Sequence, residues 1–238
     1  MSLRVLLLNW RDLHHPEAGG AEKYLVTVAE GLASRGHEIT FRTAAYPGAL
    51  PEETIAGVHY VRRGGHYSIY PRAVLGRHQV QHDVVVDVQN GVPYLSPLVT
   101  SVPVVNLVHH VHREQWPVVY PGLTGRVGWW IEHSLAPRLY RHSQYVAVSR
   151  ATRAELAQLG VDPGRVAVVH NGTDQLVRVE VVKTPYPSIC VVGRLVPHKQ
   201  VEHAITAALH LREQFPDLRL TVVGSGWWAT RLGEYAEE

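Results

Sequence analysis

Apolar residues come in short runs along the chain, at positions 5–8, 39–41, 58–61, 84–88, 102–108, 145–148 and 166–169. Runs this short and this rich in Val and Ile predict strands buried on both faces, as in a parallel sheet. Between them the apolar period lengthens. Leu25, Val28, Ala29 and Leu32 fall on one stripe at helical spacing after Gly19 and Gly20, and Gly36 stands where such a helix would stop. A second helix is predicted over about 126–142, and a third from an N-cap at Ser149 to Leu159 with Gly160 as its stop. Strands alternating with helices of this length are βαβ units, which build an α/β sheet covered on both faces.

The stretch 173–187 breaks this rhythm and ends in Thr184-Pro185-Tyr186-Pro187, a hinge-like segment in which each proline restricts itself and its predecessor. The pattern then restarts with a strand at 189–192, a loop at 193–199, a helix over about 200–215, a strand at 218–223 and Gly224-Ser225-Gly226 opening one more helix. Strand, glycine-bearing loop, helix and strand follow one another here as they do at the start of the chain. A second doubly wound domain usually needs roughly a hundred residues or more, and far fewer remain. The expected organisation is a Rossmann-like N-terminal domain over 1–175 and the incomplete start of a second Rossmann-like domain over 176–238.

Composition narrows the classes. Of 238 residues 45% are apolar and 18% charged, ordinary for a folded chain. Twenty-three Lys and Arg against 21 Asp and Glu give a net charge of +2, so no basic face for nucleic acid is expected. A lone cysteine, Cys190, rules out a disulfide framework and reads as a small buried hydrophobe inside its strand. The start lacks the charged leader and apolar core of a secretory signal, which makes the cytoplasm the expected compartment. Residues 91–108 carry no charge, but Pro93, Pro97 and Pro103 argue against a spanning helix, leaving only peripheral contact with a membrane surface open.

The segment with most chemistry is Gly193-Arg194-Leu195-Val196-Pro197-His198-Lys199. A strand ends in Gly-Arg, a short loop turns, and a Lys stands at a helix start, so two cations and backbone N–H groups are placed to converge on a diphosphate. When a sugar leaves a phosphate, negative charge grows on the leaving oxygen, and fixed cations stabilise that change. The same segment also reads as an exposed loop with two solvated charges.

GRLVPHK before a helix, a strand ending VVGSG, the upstream Val168-Val169-His170-Asn171-Gly172-Thr173-Asp174, Val148-Ser149-Arg150, and the Pro16-Glu17-Ala18-Gly19-Gly20-Ala21-Glu22 loop together resemble glycosyltransferase family 4. That resemblance implies a GT-B fold and transfer of a sugar from a nucleotide diphosphate-sugar to an acceptor, with retention of configuration and no metal or other cofactor. It implies that Arg194 and Lys199 bind the donor diphosphate, that Gly193 permits close approach, and that Gly19 and Gly20 line the cleft, with Asn171 as a further cleft residue. Gln200 departs from a position that is often Gly in the family, a change that a helix start is expected to tolerate. Two glutamates that the family carries further toward the C-terminus have no counterpart in these residues, so the chain alone is expected to be inactive or weakly active. Neither donor, acceptor nor oligomeric state is indicated.

Val104–Val108 runs straight into His109, His110 and His112. Ligands of open α/β sheets bind at the carboxyl ends of strands, and the family has a functional His here, for which His109 is the best match and His110 the second. Three clustered histidines also suggest a metal, but no Cys or Asp accompanies them and extended backbone splays adjacent side chains, so none is expected. Asp87 and Asn90 end another strand and are cleft candidates on position alone, although Asn90-Gly91 is foremost a turn. In each of the pairs Trp129-Trp130 and Trp227-Trp228 one ring is expected to pack and the other to be partly exposed. Gly224-Ser225-Gly226 imitates a dinucleotide fingerprint but follows the second strand of its unit, which disfavours an NAD-linked enzyme. A non-catalytic module that binds an acceptor or glycan is the alternative from another class.

Overall fold

The computed structural model describes residues 1–65, 68–70, 81–175 and 180–237. The chain divides into two compact units, Met1–Thr173 and Asp174–Glu238. The hinge expected over 173–187 includes 176–179, which lie outside the described residues.

The first unit follows the order β1 (Arg4–Leu8), α1 (Gly20–Ala33), β2 (Glu38–Thr43), β3 (Glu52–Ile55), β4 (Val58–Arg62), β5 (Val84–Gln89), β6 (Val104–Val108), a single turn α2 (Trp116–Val119), α3 (Leu123–Trp130), a π turn (Ile131–Leu135), α4 (Ala136–Leu139), β7 (Gln144–Ala147), α5 (Arg150–Gln158) and β8 (Val166–Val168). Its strands form one sheet in the order β3-β4-β2-β1-β5-β6-β7-β8. All neighbours are parallel except β3 and β4.

Alternation along β1 explains the two-sided core. Leu6 and Leu8 join Val85, Val104, Ala147 and Leu156 on one face, whereas Val5 and Leu7 join Leu25, Ala29, Phe41 and Leu107 on the other. Burying each such side chain stabilises by about 1.5–3 kcal/mol. Helix α1 ends as expected: Gly36 has φ +86, and N–H groups of Gly36 and His37 return to Ala33 and Leu32. Its buried stripe is Glu22, Leu25, Val26 and Ala29, so Val28, expected inside, lies outside at 38% exposure. Ser149 caps α5 by accepting from the Thr152 N–H at 3.0 Å.

Two features depart from the expected pattern. Strand β3 has no apolar run and adds an antiparallel edge through a two-residue turn, Ala56-Gly57, with both φ positive. The helix expected over 126–142 is interrupted by its π turn, just before Pro137, which cannot donate to the carbonyl four residues back. Buried Gly128, Glu132, Ala136 and Tyr140 recur every four residues across that turn, a spacing wider than the 3.6 of an α-helix.

The second unit is smaller. β9 (Ser188–Val192), α6 (Val201–Leu211), β10 (Arg219–Val223) and α7 (Ala229–Glu237) make a two-stranded parallel sheet with two helices. Leu195, Val201, Ile205 and Leu232 form its core. The pair of strands has no further strand beside it among the described residues, and Val192 is 75% exposed. Cys190, expected to be buried, is exposed for the same reason. No helix among the described residues is long and apolar enough to cross a membrane.

Candidate functional site

Strand order reverses at β1, which lies between β2 and β5, and a reversal of this kind opens a crevice at the strands' carboxyl ends. Two amides close its floor. The Asn90 Nδ2 donates to Asn9 Oδ1 at 2.7 Å, and Asn9 Nδ2 donates to the Arg11 carbonyl at 2.6 Å. Asn9 is fully buried and Asn90 half-buried.

Glu22 organises the Gly19-Gly20 loop. Its carboxylate is 1% exposed, takes the Gly19 N–H at 2.7 Å and pairs with Arg11 Nε at 3.2 Å. The Arg11 guanidinium in turn lies 3.9 Å from the centre of the Trp10 ring. One of the N–H groups expected to be open at this helix start is therefore used within the protein. Gly20 is exposed, with open space where a side chain would begin.

His109 follows β6 and meets α1 edge-on, its ring centre 5.4 Å from that of Tyr24. Its Nε2 is buried and has no hydrogen-bond partner among the described residues. Burial holds its pKa below the ordinary imidazole value, and the charge of Glu22 partly opposes that shift. The structure thus brings His109 to the same helix start as Gly19 and Gly20. His110 is exposed, with its ring centre 3.9 Å from that of His112.

Asp87 is wholly enclosed. It accepts from the N–H groups of Tyr94 at 3.0 Å and Ser96 at 3.3 Å, from the Ser96 hydroxyl at 2.6 Å and from the Tyr140 hydroxyl. Burial raises its pKa against these four donors. In this structure Asp87 holds the 94–96 turn. Asn171 is exposed beyond β8, on irregular backbone.

A cluster that the sequence reading did not single out centres on Glu132. Its buried carboxylate takes the His112 N–H, His112 Nδ1 at 2.9 Å and Trp116 Nε1 at 2.6 Å. The indole of Trp116 is slotted between Gly91 and Gly128: a methyl group on either would come within 2.6 Å or 2.3 Å of the ring. The signal in the sequence was one acid inside the apolar stretch Gly128-Trp129-Trp130-Ile131-Glu132. Among the described residues no group of three His, Cys, Asp or Glu could hold a metal ion.

In the second unit Arg194 and Lys199 are exposed on the loop between β9 and α6, and neither side chain has an ion-pair or hydrogen-bond partner among the described residues. The loop is backed by Gly224 and Gly226. A side chain there would strike the Gly193 carbonyl at 1.8 Å or the Leu195 carbonyl at 2.1 Å, and Leu195 N–H donates to Ser225 at 2.8 Å. What these glycines make room for is peptide backbone. Helix α6 starts at Gln200 with no side-chain cap, and Gln200 holds φ 50, ψ 43. This corrects the expectation that Gln is easily accommodated there, because a left-handed backbone costs a residue with Cβ about 1–2 kcal/mol.

Comparison with known proteins decides the family. The sequence model of glycosyltransferase family 4 matches residues 18–175, and that of glycosyl transferases group 1 matches 173–238. The chain belongs to glycosyltransferase family 4. No curated protein matches it by sequence. Among solved structures it is similar to Anabaena HepE in complex with UDP-glucose, with TM-score 0.65 at 16% identity over 99% of this chain and 65% of HepE. It is also similar to the catalytic domain of starch synthase IV from Arabidopsis thaliana bound to ADP and acarbose, with TM-score 0.62 at 14% identity over 100% of this chain and 71% of that one. A glycosyltransferase from Rickettsia africae gives TM-score 0.61 at 14% identity over 99% of this chain and 63% of that one. These similarities establish a GT-B-type α/β fold for this glycosyltransferase family member, which spans just under two thirds of HepE.

Proposed function

We propose that the chain belongs to an enzyme that moves a sugar from a nucleotide diphosphate-sugar to an acceptor with retention of configuration. The observation that carries this reading is the Gly193–Lys199 loop, where two cations without a protein partner flank an uncapped helix start. In this proposal Arg194 and Lys199 neutralise the diphosphate as the glycosidic bond breaks, and Gly193 lets phosphate approach the backbone. Side-chain charge then does the work for which other transferases use a divalent cation, and no further cofactor is required. His109, held toward its neutral form by its depressed pKa, is the catalytic candidate of the first unit in this reading, with His110 as the second choice. Gly19, Gly20, Asn90 and Asn171 face the cleft in this reading, and Asp87 shapes it from behind.

The relatives are longer, so we also propose that this chain alone binds donor but transfers sugar weakly or not at all. The acceptor is bound by the first unit, in the cytoplasm or at the inner face of a membrane. Calorimetry of the chain with UDP, GDP and ADP and their glucose or mannose derivatives tests the reading: at least one diphosphate should bind, and Arg194→Ala should abolish the heat. Equal binding by the variant, or none by any nucleotide, would overturn it.

A further inference from the structure

A recess of about 120 Å³ lies beside the Glu132 cluster, lined by Asn90, His112, Gln115, Trp116, Val119 and Tyr120. It opens beyond the carboxyl ends of β5 and β6. Three of its polar groups keep one hydrogen-bonding atom that no described residue takes. Asn90 uses Nδ2 on Asn9, leaving Oδ1; Gln115 uses Oε1 on His110, leaving Nε2; His112 uses Nδ1 on Glu132, leaving Nε2. Two acceptors, Asn90 Oδ1 and the Nε2 of a neutral His112 whose Nδ1–H meets the carboxylate, and one donor, Gln115 Nε2, are thus set around two aromatic rings whose centres lie 5.7 Å apart.

The recess is also built to stay open. Glu132 fixes both His112 and Trp116, and the indole is wedged between Gly91 and Gly128, so neither ring can turn to fill the space without breaking a buried hydrogen bond. A rigid, mostly apolar hollow with a few oriented polar atoms is how small-molecule sites are made. Its size suits one ring edge and falls well short of the roughly 300 Å³ or more of sites for larger ligands.

We infer that this recess binds a single pyranose ring, with hydroxyls on Asn90, Gln115 and His112 and ring C–H groups against Trp116 and Tyr120, and that Glu132 is the residue that positions it. A hydroxyl donates and accepts at once, which the mixed set of free atoms matches and a phosphate or carboxylate would not. Occupancy by the acceptor rests on the sugar-transfer reading above; binding of the ring does not.

The test is a titration of the ¹⁵N-labelled chain with methyl glycosides of glucose, galactose and mannose, following the Trp116 indole and the Gln115 and Asn90 amide signals. Glycerol serves as a polyol without a ring. We expect at least one glycoside to move these signals with an affinity in the millimolar range, and glycerol to leave them in place. Gln115→Ala, at a half-exposed position outside the Glu132 hydrogen bonds, should weaken binding about fivefold, the order expected for one lost hydrogen bond. Glu132→Gln should weaken it at least as much while the melting curve stays cooperative; should that variant fail to fold, Gln115→Ala decides alone. No movement with any glycoside, or equal binding by both variants, overturns the inference. Displacement of the glycoside by a nucleotide sugar, but not by the nucleoside diphosphate, assigns the recess to the donor's sugar, and simultaneous binding assigns it to the acceptor. Glycoside binding in a chain whose nucleotide affinity ignores Arg194→Ala would keep this site and sink the transfer reading. The reverse pattern would sink the site alone.

Discussion

Two openings in this chain share one plan and finish it differently. After β1 the chain loops through Gly19 and Gly20 into α1, and after β9 it loops through Gly193 and Lys199 into α6. The first helix start carries its own anion, the buried Glu22, which takes a loop N–H and is balanced by Arg11. The second has Glu202 in its first turn, but that carboxylate takes the Trp228 indole N–H and, among the described residues, no loop N–H, and exposed cations stand beside it. A helix N-terminus favours negative charge, so the internal carboxylate satisfies the loop of the first, and in our proposal an external anion does so for the second. On that proposal one topology makes a structural joint in one unit and an anion receptor in the other.

The comparison breaks most sharply if the receptor's charges are dispensable. In a sugar-transfer assay of the whole enzyme to which we propose this chain belongs, Arg194→Ala or Lys199→Ala should each lower kcat by about 10²–10³-fold, the usual cost of one donor to developing charge. Turnover within a factor of a few of the parent's would end the distinction between the two openings. At the joint, Glu22→Ala leaves Arg11 and the Gly19 N–H without their partner, and should destabilise the first unit by about 3 kcal/mol in urea unfolding. A change below half of that would mean that Arg11 is satisfied without Glu22.

The next effect is smaller and concerns pH. His109 has a pKa below its unfolded value of about 6.5, so the unfolded chain binds its proton first and the stability held above that pH is lost as pH falls toward the folded pKa. The melting temperature of the parent should fall more steeply between about pH 7 and pH 5 than that of His109→Gln; parallel curves would show that Nε2 reaches water. Least of all, Gln200→Gly should stabilise the second unit by about 1 kcal/mol by relieving φ 50, seen as a higher denaturation midpoint with nucleotide affinity kept.

How much of this was written in the residues varies with the range of the interaction. Parallel strands, the glycine stops after α1 and α5 and the Ser149 cap depend on neighbours within a few positions, and all were legible. The β3 edge was not, because Glu52-Glu53-Thr54-Ile55 has no apolar signature and pairs through a turn whose residue Ala56 is unusual at positive φ. Cys190 and Val28 were misplaced because an apolar residue in the right period is buried only if something covers it. In the site, the Gly193–Lys199 loop stood out by local spacing and family resemblance. The Glu132 cluster joins residues twenty positions apart and was invisible until the fold closed.

The π turn at Ile131–Leu135 carries a practical warning for anyone reshaping this protein. Within it Glu132 reaches the exit of β6, and downstream of it Tyr140 reaches Asp87 at the end of β5. A regular helix drifts too far around its axis over those eight positions to serve both. Straightening it by deleting one residue, as an idealising redesign would, unhooks one strand end or the other.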